Sequence, residues 1–176
     1  MSHLYFAYGS CMDIEDLRRT TPAEVVTRGV LNDYRLAFTR YSRGRKGGVA
    51  DIVHSVGDYV EGVVFRVQDL AALDAREGCP KAYRRRRACI VAGVVHPQLM
   101  NVWTYEVVNK SREEIAPSET YQNLIMSGAD KYLSKEYRKE LKRNLKRFEK
   151  NERYSDYVEL EMDWLTLGLE ERFGKW

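Results

Sequence analysis

The sequence predicts one α+β domain spanning residues 1–176, on three observations. Short apolar runs of β type dominate the chain before Pro117, and apolar residues at helical spacing dominate after it. No internal repeat, low-complexity block or linker interrupts the chain. Hydrophobic residues at 44% and charged residues at 31% suit a packed core with a solvated surface and argue against disorder.

The elements follow in order. Leu4-Tyr5-Phe6-Ala7-Tyr8 is an aromatic-rich run halted by Gly9-Ser10, the pattern of a strand ending in a turn. Ser10, with Asp13 three positions on, resembles a capping box for a short helix carrying Ile14 and Leu17 on one face. From Gly29 to Val67 the chain reads as β-rich, with strand-like pieces at Leu36–Thr39, Val49–Val53 and Glu61–Val67. Tyr41 to Gly48 is a basic, glycine-rich loop between the first two pieces. Gln68 to Arg76 has helical spacing and stops near Gly78. Tyr83–Val95 and Asn101–Val108 read as neighbouring strands. Pro117-Ser118-Glu119-Thr120-Tyr121 opens a helix that runs to Gly128. Lys131–Arg153 reads as one long amphipathic helix with Leu133, Tyr137, Leu141, Leu145 and Phe148 along one side. The segment Val158–Trp176 alternates apolar and acidic positions and matches no single element.

Several chemistries are excluded early. Cys11, Cys79 and Cys89 are odd in number and lack C-x-x-C spacing, so neither a disulfide framework nor a thiolate zinc site is expected. All three read as small buried hydrophobes in a reducing, cytoplasmic setting. His3, His54 and His96 are isolated, so no metal is expected, and no phosphate-loop or dinucleotide fingerprint is present, so no cofactor is expected either. Neither a membrane-spanning run nor a secretory signal pattern is found. Acid–base chemistry is left to carboxylates, tyrosines or lysines.

Charge gives little direction. The net value of +3 conceals a basic helix, Lys131–Arg153, set against a slightly acidic remainder. That helix and the cluster Arg84–Arg87 admit nucleic-acid binding as an alternative. A solvated helix face supported by i,i+4 pairs, and a strand whose arginines alternate outward, is the simpler reading, and no nucleic acid is expected as a partner. Tyrosine is the unusual residue: 12 are present against 5 Phe and 3 Trp. A buried tyrosine hydroxyl needs a partner, so the surplus requires a reason.

The motifs supply one. Tyr5-Phe6-Ala7-Tyr8-Gly9-Ser10-Cys11-Met12 resembles the first signature of the γ-glutamylcyclotransferase (AIG2-like) family, Y-x-x-Y-G-S-N-[LM]. Gly47-Gly48-Val49-Ala50-Asp51-Ile52 resembles its second, glycine-containing segment. Gly62-Val63-Val64-Phe65 with Leu73-Asp74-Ala75-Arg76-Glu77-Gly78 resembles its catalytic strand–helix unit, and Pro117-Ser118-x-x-Tyr121 a fourth motif. The four occur in the family's order.

The resemblance implies a small, partly open, mostly antiparallel β-barrel with flanking helices and a cavity at its mouth. It implies cleavage of a γ-glutamyl amide by its own α-amine, releasing 5-oxoproline and a free amine or amino acid. By position, Glu77 matches the catalytic acid/base, Tyr5, Phe6, Ala7, Tyr8, Gly9 and Ser10 the substrate-cradling loop, and Tyr121 a substrate-contacting tyrosine; Tyr83 is a looser match. A small γ-glutamyl amide is the implied partner, and a non-catalytic γ-glutamyl or small-anion binding module on the same fold is the alternative.

On its chemistry, Glu77 should titrate high through partial burial among tyrosines. Glu61, Asp51 and Asp74 read as surface or turn carboxylates. Cys11 stands where the family has Asn, and a thiol hydrogen-bonds more weakly than an amide. The basic residues of the Tyr41–Gly48 loop hint at an acidic leaving part.

Overall fold

The computed structural model describes residues 2–149. The first aromatic run forms β1 (His3–Ala7), and its turn continues as a 3₁₀ turn over Ser10–Met12. Helix α1 (Ile14–Arg18) is capped by Asp13, whose carboxylate accepts from Glu15 N and Asp16 N, and not by Ser10. Ser10 is instead buried, as the first residue of the 3₁₀ turn.

The β-rich stretch is a single long hairpin. Strand β2 (Ala23–Ser42) and strand β3 (Gly47–Val67) each absorb pieces that read separately in sequence, and β2 begins six residues before Gly29. Three register shifts, at Val25/Thr27, Asn32/Tyr34 and Phe38/Arg40, let these strands bend without ending. Strands β4 (Tyr83–Ala92) and β5 (Gln98–Val107) follow, and the barrel order is β1-β3-β2-β4-β5. It is closed, not partly open: β5 reaches β1 through one parallel pair, Tyr5 with Trp103. All other pairings are antiparallel.

Glycines admit a core ring. Gly29 and Gly62 face each other across β2 and β3, and a Cβ on Gly62 would lie 2.7 Å from the Phe6 ring. Phe6 is fully buried there with Val64 and Ile90.

Helix α2 (Leu70–Glu77) starts at Asp69, whose side chain accepts from Ala71 N and Ala72 N. It stops at Gly78, which sits in the left-handed region at φ +62 and so ends the helix directly after Glu77. Helix α3 (Glu119–Tyr132) begins at the Ser118 cap.

The long basic helix is broken. Leu133 closes α3 in an extended conformation, and α4 (Lys135–Glu149) starts anew. Glu61 explains the break: its carboxylate accepts from Ser134 N (2.8 Å) and Ser134 Oγ (2.7 Å), while Ser134 Oγ accepts from Tyr137 N (3.1 Å). A buried carboxylate thus holds the start of α4. Tyr137, Leu141, Leu145 and Phe148 are buried as their spacing predicts, with Phe148 meeting Phe38 edge-on at 5.5 Å. Among the described residues, the ion pairs of α4 leave the helix, Arg138 to Asp130 and Arg147 to Glu114, and the expected pairing around Glu136 and Glu140 is not formed. Lys150–Arg153 and Val158–Trp176 lie outside the described residues. Among the described residues no helix is long and apolar enough to cross a membrane.

Candidate active site

Strand β1, the 3₁₀ turn, the start of β3, the end of α2, the starts of β4 and α3 and the end of β5 converge on one small cavity. Tyr5, Tyr8, Gly9, Ser10, Cys11, Ala50, Glu77, Tyr83, Tyr105 and Tyr121 line it, and its volume is about 40 Å³. That space holds little more than a water molecule. It shares Ser10, Glu77, Tyr83 and Tyr121 with an open cleft of about 600 Å³. The cleft is large enough for a small-molecule ligand. A third cavity of about 240 Å³, between α4 and the β2–β3 hairpin, is lined in part by Leu36, Tyr59, Tyr137 and Leu141 and contains none of these residues.

The tyrosines repair an interrupted sheet. Ala50 pairs in register with Phe38, but the Phe38 carbonyl accepts from Ile115 N, so this is a non-hydrogen-bonded pair. The N–H and C=O of Ala50 therefore face away from β2, where β1 no longer runs alongside β3. Tyr121 Oη accepts from Ala50 N (3.2 Å) and Tyr83 Oη donates to Ala50 O (2.8 Å). Two hydroxyls thus replace a neighbouring strand. Tyr8 Oη donates to Tyr105 O (2.6 Å), and Tyr105 Oη donates to Asp74 (2.7 Å). Burial pushes Tyr5, Tyr8 and Tyr83 well above the ordinary phenol range and Tyr121 to about 12, so all four stay protonated near neutrality. Tyr121, an acceptor toward Ala50, keeps its own proton to donate.

Glu77 lies at the junction of cavity and cleft. Burial raises its pKa above the usual carboxylate value, against the opposing pull of the Arg76 guanidinium, the Cys11 thiol and Arg45. This is the direction expected from the sequence. Cys11 Sγ donates to Glu77 Oε1 at 3.4 Å, and burial beside that carboxylate pushes the thiol up to about 12. Cys11 is therefore a neutral donor to the carboxylate and not an inert hydrophobe. Arg76 is held by Asp16 and Thr20, with its Nε 3.9 Å from Glu77.

Two of the eight cradle and pocket positions fall elsewhere. Phe6 and Ala7 are fully buried and do not line the cavity. Tyr5, Tyr8, Gly9, Ser10, Tyr83 and Tyr121 do line it, together with Glu77. Among the described residues, no main-chain carbonyl accepts from the N–H groups of Gly9, Ser10 or Cys11. These three residues line the cavity, and their N–H groups are left without a main-chain acceptor. Gly9 also permits close approach, since a Cβ there would sit 3.0 Å from Ala50 Cβ and 3.6 Å from Tyr121 Oη.

Other expectations need correction. Asp51 is fully buried, accepting from Thr39 Oγ1, Ile52 N, Val107 N and Lys110 Nζ, and so ties β3 to the end of β5. Glu61 is buried at the start of α4. Asp74 is half-buried and bound to Tyr105 and Arg85. The arginines of β4 do not simply alternate outward: Arg84 and Arg86 pair with buried Glu106, while Arg85 and Arg87 stack on Trp103 at 5.0 and 4.0 Å. Cys89 is exposed, on the β4 face opposite Ala88 and Ile90. Sequence reading also missed Ala50 and Tyr105 as lining residues; the tyrosine surplus was the signal available for the second.

Comparison with known proteins places this geometry. The family model described as "Gamma-glutamyl cyclotransferase, AIG2-like" matches residues 5–123. The γ-glutamylcyclotransferase of Bos taurus is 33% identical over 150 residues, covering 80% of this chain and 77% of that protein. YkqA of Bacillus subtilis is 36% identical over 148 residues, covering 80% of this chain but 51% of YkqA, so the chain spans about half the length of that relative. A solved structure titled γ-glutamyl cyclotransferase superposes with a TM-score of 0.75 at 30% identity, covering 81% of this chain and 87% of that one. From the matched motifs, the shared fold and these relatives, the chain belongs to the γ-glutamyl cyclotransferase, AIG2-like family.

Proposed function

We propose that this chain converts a γ-glutamyl amide into 5-oxoproline and a free amine or amino acid, with Glu77 as the single proton carrier. The observation carrying this reading is a part-buried carboxylate, beside several tyrosines, at the point where a tight polar cavity opens into a ligand-sized cleft. Both reacting groups belong to one substrate, so positioning supplies much of the rate; effective molarities of well-oriented intramolecular attack reach ~10⁵–10⁸ M.

The steps balance on one carboxylate. The α-ammonium gives a proton to Glu77, and the freed amine attacks the γ-carbonyl carbon. The new ring C–N bond forms as negative charge moves to the carbonyl oxygen. The N–H groups of Gly9, Ser10 and Cys11 would hold that oxygen or the substrate's α-carboxylate. Protonated Glu77 then gives its proton to the leaving nitrogen as the amide C–N bond breaks and the oxyanion collapses, and the regenerated carboxylate takes the second proton from the ring nitrogen and passes it to the departing amine. A carboxylate with a raised pKa suits these transfers, because its proton affinity lies nearer that of the groups it serves. The burial that raises Glu77 therefore supports the assignment.

The test is a panel of γ-glutamyl amides incubated with the protein, with 5-oxoproline read by mass spectrometry. Release of 5-oxoproline with an equal amount of amine is expected from at least one. No product from any amide would overturn the reading and favour a binding module.

A further inference from the structure

The large cleft beside Glu77 has an unbalanced charge. Arg40, Arg43, Arg45 and Arg76 line it, and Glu77 is the only carboxylate among its lining residues. Arg76 is committed to Asp16 and Thr20. Among the described residues Arg40 takes part in none of the ion pairs within 4 Å. Among the described residues the one ion pair of Arg45 is with Asp16, at 3.9 Å, and Asp16 already serves Arg76 closely and Arg19 at 3.9 Å.

The fold places both arginines, and it fixes the Arg45 guanidinium more closely. Arg40 lies in β2 directly across from Val49, one residue from Ala50. Arg45 lies in the turn joining β2 to β3, and Ser118 Oγ donates to its carbonyl at 2.5 Å. Gly48 N donates to Ala116 O nearby, fixing the same turn against the segment entering α3. The Arg45 guanidinium stacks 5.5 Å from the centre of the Tyr121 ring, at the boundary of cavity and cleft. A guanidinium anchored at its backbone and stacked on a ring loses little further freedom when it binds an anion.

The geometry points to a leaving part that carries two negative groups, one for Arg40 and one for Arg45. This rests on the activity proposed above. With the scissile bond at Glu77, where cavity and cleft meet, and the γ-glutamyl head against Gly9 and Ser10 at the cavity mouth, the amine portion extends into the cleft. An acidic amino acid or a phosphorylated amino acid has the required chemistry, whereas a neutral alkylamine leaves both arginines unanswered.

The experiment compares kcat/KM for γ-glutamyl-glutamate, γ-glutamyl-phosphoserine, γ-glutamyl-alanine and γ-glutamyl-propylamide, in the wild type and in Arg40→Gln, Arg45→Gln and the double variant. Charge-assisted contacts of this kind are worth roughly 10-fold per arginine. The acidic substrates should exceed the propylamide by about 100-fold in the wild type, and the double variant should erase most of that preference, mainly through KM. Arg45 also acts on Glu77, but that effect is common to all four substrates and cancels in the ratio. Raising the salt concentration should narrow the wild-type preference as well. Equal turnover of all four amides, or a preference unchanged by both substitutions, overturns the dianion assignment and leaves the activity standing. No 5-oxoproline from any of the four overturns the activity reading itself. Glutamate against phosphoserine shows which of the two acidic groups the cleft takes.

Discussion

Replacing Tyr121 by Phe removes one oxygen and strands one buried donor. Ala50 N, directed away from β2, has Tyr121 Oη as its acceptor, and Tyr121 is only 5% exposed. An orphaned buried N–H costs about 1–3 kcal/mol. Tyr83→Phe strands the other half of the same peptide position, since Tyr83 Oη donates to Ala50 O. An under-satisfied carbonyl is better tolerated than an orphaned N–H, so this loss should be the smaller, about 1 kcal/mol. Urea unfolding of both variants and their double mutant measures this directly. The midpoint should fall in the order wild type, Tyr83→Phe, Tyr121→Phe, at an unchanged slope. If Tyr121→Phe stays within about 0.5 kcal/mol of the wild type, the hydroxyls do not replace the missing strand, because a lost buried partner would cost more. Their presence would then need a purely substrate-based reason.

Three further outcomes test other parts of the account. Cys11→Ala removes a donor that favours charged Glu77, so the acid limb of kcat/KM should move to higher pH; Cys11→Ser, a stronger donor, should restore or lower it. A limb unmoved in both would separate Cys11 from Glu77. Gly128→Ala offers about 1 kcal/mol of helix propensity, but its Cβ would lie 2.6 Å from Met12 Cβ and 2.9 Å from Asp13 N. The overlap with backbone should win, giving a net loss of about 1–3 kcal/mol in thermal unfolding. Ser134→Ala should cost about 2 kcal/mol or more, through the lost Glu61 bond and the lost cap of α4, again read by unfolding.

Local chemistry explains why some elements were readable from sequence and others were not. The stop after Glu77 was legible because Gly78 adopts a left-handed conformation that favours glycine. The buried face of α4 was legible through its spacing, but the break before it was not. Ser134 ends no helix by propensity alone; its partner Glu61 lies 73 positions away. Asp51 looks like a surface or turn carboxylate in sequence, and its burial depends on the barrel bringing Thr39, Val107 and Lys110 to it. The tyrosine surplus pointed to the cavity, though for a different reason than a substrate alone: several hydroxyls are spent on the protein's own backbone. Phe6 and Ala7, inside the signature motif, serve the core and not the cavity.

The most direct test of the central claim is Glu77→Gln assayed for 5-oxoproline release from a γ-glutamyl amide that the wild type turns over. The amide side chain fits the same space but cannot carry the proton between the two nitrogens. Burial raises the Glu77 pKa, so the carboxylate weakens the fold as pH rises through that value, and Gln should leave neutral-pH stability equal or higher. The account predicts a folded protein whose turnover falls by about 10²–10⁴-fold, the range of a lost general acid–base. A folded Glu77→Gln variant with near-wild-type turnover would contradict it.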